Sequence, residues 1–317
     1  MKEDLYPRAT SGVAMGASAV LLWSMSSACV VFAGRQLGVW QFLAITSLIA
    51  GLLQIIGYLA MGRPLRSILM PPLKLWLAVV LGFILYLVLY TTGLTTSSTE
   101  AQAVGVSLMN YLWPTLAILF TTWLVRGERM HGRLVVSIAL SLAGVLLANG
   151  REIVLSDAGV SIWPYMLGSA AAVFWAAYCA LTSRWRFWAK DYAAAPMGFL
   201  IVGTVAAGVC LYRCEWQPMN VRAWWAVLLT ALGPWAGGYM LWEMALHRAS
   251  GTTLGLIGSA TPILSTMILI GSFAITSNRG VSDMQVVVLL SASVMIGVAV
   301  ALGRTPSCKQ ARLSLET

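Results

Sequence analysis

Charge is what this sequence has least of. Only 10% of its 317 residues are Asp, Glu, Lys or Arg, where soluble domains carry about a quarter. With 59% hydrophobic residues and a mean hydropathy of +0.81, the chain has more apolar surface than a water-facing fold can bury. The class is therefore an integral membrane protein. Groups for bond chemistry are missing as well. There is no H-E-x-x-H pair, no glycine-rich phosphate loop and no pair of mid-span carboxylates to hold Mg²⁺. The sequence thus argues against an enzyme, and no cofactor or metal is expected. Cys29, Cys179, Cys210, Cys214 and Cys308 form no C-x-x-C or Cys/His pattern and read as packing residues or free thiols. The net charge of +9 comes without a basic patch interleaved with aromatics, so no nucleic-acid partner is expected.

Long apolar runs are what the chain does have. A span needs about 20 mostly apolar residues. Ten segments qualify: 12–34, 40–61, 74–94, 100–125, 132–150, 161–184, 193–213, 223–246, 252–275 and 284–303. Short connections leave no soluble domain, and the lipid bilayer is the expected surrounding. The first run, about 22 residues, is too long for a signal-peptide core and reads as a retained span. Basic residues then set orientation. If the N-terminus is cytoplasmic, only Arg35, Arg151, Arg213, Arg222 and Arg279 of the 20 Lys and Arg lie outside. Both termini are therefore expected in the cytoplasm.

The chain also resembles itself. "GASAVLLW" (Gly16–Trp23) matches "GSAAAVFW" (Gly168–Trp175) at an offset of 152, and "GVLLANG" (Gly144–Gly150) matches "GVAVALG" (Gly297–Gly303) at 153. "YTTGLTTSS" (Tyr90–Ser98) lies opposite "WEMALHRAS" (Trp242–Ser250) at 152, and Pro114 pairs with Pro262 at 148. The second and seventh segments align poorly. The expected units are residues 1–152 and 153–317. Each holds five spans, an odd number, so the second must cross in the opposite sense. The fold class expected is all-α, ten transmembrane helices in two inverted five-helix repeats. Such transporters bind substrate near the midplane, between the halves. Pro114 and Pro262 are then matched mid-helix breaks, tolerated only against protein or a wet cavity.

Ten spans in two repeats resemble the drug/metabolite transporter superfamily, EamA-like. The residues that carry the likeness are Tyr90, Gly93-Leu94, Ser97-Ser98, Pro114 and Gly127-Glu128 in the first half. Trp242, Ala245-Leu246, Ala249-Ser250 and Pro262 carry it in the second, which lacks the Gly-Glu. The density of Trp and the run "MNYLWP" are most similar to the YddG group of aromatic amino-acid exporters. The resemblance implies a secondary transporter in the bacterial inner membrane, exporting aromatic and large neutral amino acids by alternating access and working as a monomer. An exporter of another small amphipathic solute, or a passive channel, are the competing readings.

Among 14 Trp and 10 Tyr, many sit at span ends as interface anchors: Trp40, Trp76, Trp163, Trp185, Trp188, Trp216, Trp224 and Trp225. Others lie deep. Trp23 and Trp175 are repeat-matched; Tyr86 and Tyr90 are one turn apart; Tyr111 and Trp113 flank the break; Tyr178 follows Trp175; Trp235, Tyr239 and Trp242 run along the eighth segment. Each alone reads as packing. Together, Trp23, Tyr86, Tyr90, Tyr111, Trp113, Trp175, Tyr178, Tyr239 and Trp242 are expected to line a substrate cavity. Asn110 offers donor and acceptor to a zwitterion, or makes an interhelical hydrogen bond. Glu243 is the most embedded charge. It reads either as a local pair with His247 or Arg248, or as part of a gate. Gly82 opposite Gly233-Pro234 marks a hinge or tight packing in both halves. With Pro114 and Pro262 these are the expected moving points.

Overall fold

Helix occupies each of the ten apolar segments, and no strand occurs among the described residues. The computed structural model describes residues 5–126, 132–155, 161–185, 192–193, 195–246, 248, 254, 257–276 and 282–303. His247 and Glu128 lie outside them. The first two helices are α1 (Leu5–Leu37) and α2 (Val39–Ala60), joined through Gly38, whose φ of 76° suits a residue without a side chain. After the short α3 (Leu65–Leu69), α4 (Leu73–Ala78), a π-helical segment π1 (Val79–Ile84) and α5 (Leu85–Thr95) make one rod. The next rod is α6 (Glu100–Asn110), α7 (Trp113–Phe120) and π2 (Thr121–Arg126). Then come α8 (Gly132–Leu155), α9 (Trp163–Trp185) and α10 (Ala195–Tyr212). A second π-interrupted rod joins α11 (Val221–Thr230), π3 (Ala231–Gly238) and α12 (Tyr239–Leu246). The last helices are α13 (Thr261–Thr276) and α14 (Asp283–Gly303).

Seven of these units are long and apolar enough to cross a membrane, and Gly132–Ala148 and Thr261–Ile275 are shorter apolar helices. The rod Val221–Leu246 differs in carrying Arg222, Glu243 and four tryptophans, and like Leu73–Thr95 it is divided by a π segment. The composition of π3, ALGPWAGG, explains it: Pro234 lacks the N–H an α-ladder needs, and the glycines are poor helix formers. A π segment absorbs the misfit, and such segments cluster at functional places.

The packing pairs follow a pattern. α2 lies along α10, and α8 along α14. α1 packs on the α11–π3–α12 rod and on α13. α9 packs on the α4–π1–α5 rod and on both α6 and α7. Exchanging each segment with the one five places on maps the α2–α10 and α8–α14 pairs onto themselves and turns the pairs of α1 into those of α9. Two of the three π segments obey the same relation: π1 begins at Val79 and π3 at Ala231, at the 152-residue offset read from the sequence. Gly82 sits inside π1. A Cβ there would lie 2.5 Å from the Cβ of Tyr178, so only glycine admits α9 this closely.

Candidate functional site

Two broken helices frame the site. α6 stops at Asn110; the Tyr111 N–H turns back to the carbonyls of Ser107 and Leu108, and the Leu112 N–H to that of Met109 at 3.2 Å. α7 then restarts with Pro114 in its first turn, where a missing N–H costs no helical bond. At the 148-residue offset the pattern repeats. Ala260 N–H donates to the Ile257 carbonyl at 3.1 Å, and α13 restarts at Thr261-Pro262. Each break therefore lies two residues ahead of its proline.

Between the breaks runs a cleft with about 590 Å³ of empty space, its open mouth included. Eight of the ten residues expected from sequence line it: Trp23, Tyr86, Tyr90, Asn110, Tyr111, Trp113, Trp175 and Tyr239. Tyr178 and Trp242 stand one layer back. Tyr178 stacks on Trp175 at 5.1 Å and 23°, and Trp242 leans on Trp23 at 5.1 Å. Trp175 is the hub, with ring centroids at 4.8 Å from Tyr86, 5.6 Å from Tyr239 and 6.1 Å from Trp113. Trp235, already grouped with the deep aromatics, and Thr91 complete the lining with Ser26, Val30, Leu87 and Thr261; sequence reasoning did not select these last four. It also passed over Phe83 and Phe199, which pack edge-on at 5.0 Å and each at 5.5 Å from Tyr239. Nothing in the lining carries a formal charge.

The polar groups fall into three sets. Ser27 Oγ joins Tyr90 OH at 2.7 Å, Ser107 Oγ at 3.0 Å and Ser265 Oγ at 3.2 Å, tying α1, α5, α6 and α13 together. Gln54 of α2 donates from Nε2 to the Trp235 carbonyl at 2.8 Å, serving the irregular backbone of π3. Asn110, 2% exposed, keeps Oδ1 without a partner, as does the indole N–H of Trp23. Glu243 lies apart from the cleft. Its carboxylate accepts from Arg63 at 2.9 Å and from the Tyr58 hydroxyl, with the Arg63 guanidinium 4.8 Å above the Tyr58 ring. The local pairing with Arg248 expected from sequence is not formed; that guanidinium donates to the Met15 sulfur at 2.9 Å. A partner 180 residues away outcompetes a neighbour because α2 brings both Tyr58 and the loop Arg63 to the end of α12.

Known proteins are similar to this chain over most of its length. Residues 10–150 match the EamA-like transporter family. The aromatic amino acid exporter YddG of Ancylobacter novellus is 29% identical over 266 residues, covering 82% of this chain and 88% of that protein. The exporters of the same name from Escherichia coli and Salmonella typhimurium are 27% and 25% identical, each over 80% of this chain and 85% of theirs. A crystal structure of a protein 24% identical covers 93% of this chain and 96% of its own, with a TM-score of 0.66, and shares the fold.

Proposed function

We propose that this chain is a secondary transporter that exports aromatic and large neutral amino acids by alternating access. One observation carries the reading: the cleft at the two helix breaks is walled by aromatic rings and holds no formal charge. Stacking suits an aromatic side chain, each favourable ring pair adding about 0.5–1.5 kcal/mol beyond buried area. A phosphorylated or multiply acidic solute would want buried Arg or Lys there. The relatives named aromatic amino acid exporter agree with this substrate class.

The two halves act as an inverted repeat in a bacterial inner membrane, with both termini cytoplasmic. The exchange-related packing pairs, the matched π segments and the matched breaks support that arrangement. Rocking of one half against the other would bend the rods at π1 and π3 and open the cleft to alternate sides. The clamp of Glu243 on Arg63 and Tyr58 closes one end. With Glu243 so engaged and no ionisable carboxylate or imidazole in the cleft, transport runs down the substrate gradient without obligatory proton coupling.

The test is counterflow of labelled phenylalanine in proteoliposomes, without a pH gradient or membrane potential. Saturable counterflow, competed by tryptophan and methionine, is the expected result. Unsaturable flux would indicate a channel, and competition by nucleotide sugars alone would remove the substrate class. Uphill accumulation driven by an imposed proton gradient, lost in Glu243→Gln, would instead make Glu243 a coupling residue. Orientation is read separately, in a cysteine-free background: impermeant thiol reagent added outside should label Ser98→Cys and miss Arg66→Cys.

A further inference from the structure

The cleft lacks charge, yet an amino acid brings two. We infer that it divides the zwitterion between the two broken helices: the ammonium at Asn110 Oδ1, the carboxylate at the first turn of α13 beside Thr261. This rests on the substrate class proposed above. Asn110 is the last residue of α6, at the negative end of the helix dipole, which favours a cation. Its Oδ1 can only accept, is buried, and has no partner within the protein. A buried acceptor left empty is costly, and a bound N–H donor relieves that cost. Thr261 is the first residue of the 16-residue α13 and lines the same cleft. There the positive end of the helix dipole favours an anion, with Pro262 contributing no N–H of its own. The chain thus places a negative helix end and a positive helix end on one cavity, each beside a side chain of matching polarity. The other unpartnered lining group, the Trp23 indole nitrogen, is not free for this role. It is boxed in by Gly238, lying 2.8 Å from where a Cβ of that residue would sit. The hydroxyl of Tyr90 is already committed to Ser27.

Three ligands with one phenyl ring separate the two subsites: phenylalanine, phenethylamine (ammonium only) and 3-phenylpropanoate (carboxylate only). Their binding is measured on the purified full-length protein by displacement of labelled phenylalanine and by ligand-induced thermal shift. Asn110→Leu is expected to weaken phenylalanine and phenethylamine by about ten-fold while leaving 3-phenylpropanoate unchanged. Thr261→Val should weaken phenylalanine and 3-phenylpropanoate and spare phenethylamine, and Thr261→Ser should restore the wild-type pattern. Equal losses for all three ligands, no loss for any, or the reverse assignment would overturn the inference while leaving the transporter reading intact. If none of the three binds the wild-type protein, the substrate class and the inference fall together. Monodisperse elution of each variant shows that a loss is not misfolding.

Discussion

π1 and π3 occupy the same register in the two halves but are held in different ways. Around π1 the fixing is steric: Gly82 faces the Cβ of Tyr178, and a Cβ on Gly198 would meet the Phe83 ring at 2.6 Å. In π3 there is room at Gly233, where a Cβ meets only Leu22 at 3.6 Å, while Gly238 at its end packs tightly on the Trp23 indole. There the fixing is polar, through Gln54 to the Trp235 carbonyl. The rods also end differently. Glu243 terminates one in an ion pair, while its counterpart at the 152-residue offset is the neutral Thr91. The comparison separates what the fold requires from what each half improvises. Both rods need an irregular turn at this depth. What steadies the turn depends on the facing helices, α2 and α10, the pair whose sequences agree least.

The largest effect that tests this contrast is expected from Gly82→Ala. Its methyl group has nowhere to go, and overpacking of this kind costs about 1–3 kcal/mol. The thermal midpoint of the purified protein should fall by several degrees. Gly233→Ala should leave it unchanged or raise it, because alanine is the better helix former and the space is open. Equal losses at both positions would mean that the two hinges are held alike. Next comes Gln54→Leu, which strands the Trp235 carbonyl while also removing an amide oxygen that itself lacks a partner. The net destabilisation should be on the order of 1 kcal/mol, read in the same melting experiment. The third concerns the clamp. Glu243→Gln and Arg63→Gln should each increase thiol labelling of a cysteine placed at Arg66, and the double variant should add little to either. That non-additivity, on the order of 1 kcal/mol for residues in contact, distinguishes a shared clamp from two separate surface charges. The smallest effect is the control. Trp113→Ala should weaken substrate binding several-fold, as expected for loss of about 1 kcal/mol of stacking, whereas Trp76→Ala should leave it unchanged.

Much of this was legible in the sequence because proline and glycine act as punctuation. The Pro114–Pro262 and Gly82–Pro234 correspondences located both breaks and also π1 and π3, although the break falls at Tyr111–Leu112 and not at the proline itself. Asn110 and most of the aromatic lining were legible too, since bulky polar-tipped rings inside an apolar run are conspicuous. The rest was hidden for physical reasons. A helix apolar on every side gives no periodic signal of which face looks inward, so Tyr178 and Trp242 could not be told from Trp175 and Tyr239. Phe83 and Phe199 looked like ordinary lipid-compatible residues. The partners of Glu243 come from another helix, and sequence proximity pointed to Arg248 instead.

The pairing of α1 with α11, α12 and α13 has a consequence for how the protein is made. A ribosome delivers α1 to the membrane long before the helices it packs against exist, and α2 and α8 wait likewise for α10 and α14. The first half therefore enters the bilayer as a set of helices whose main partners are still unsynthesised. Assembly is governed by distant contacts, which close late and slowly. On the proposed repeat, the two halves would share one plan without being independent folding units. Residues 1–152 produced alone should be degraded, and should accumulate when residues 153–317 are produced beside them, as measured by the amount of each fragment that survives in purified membranes.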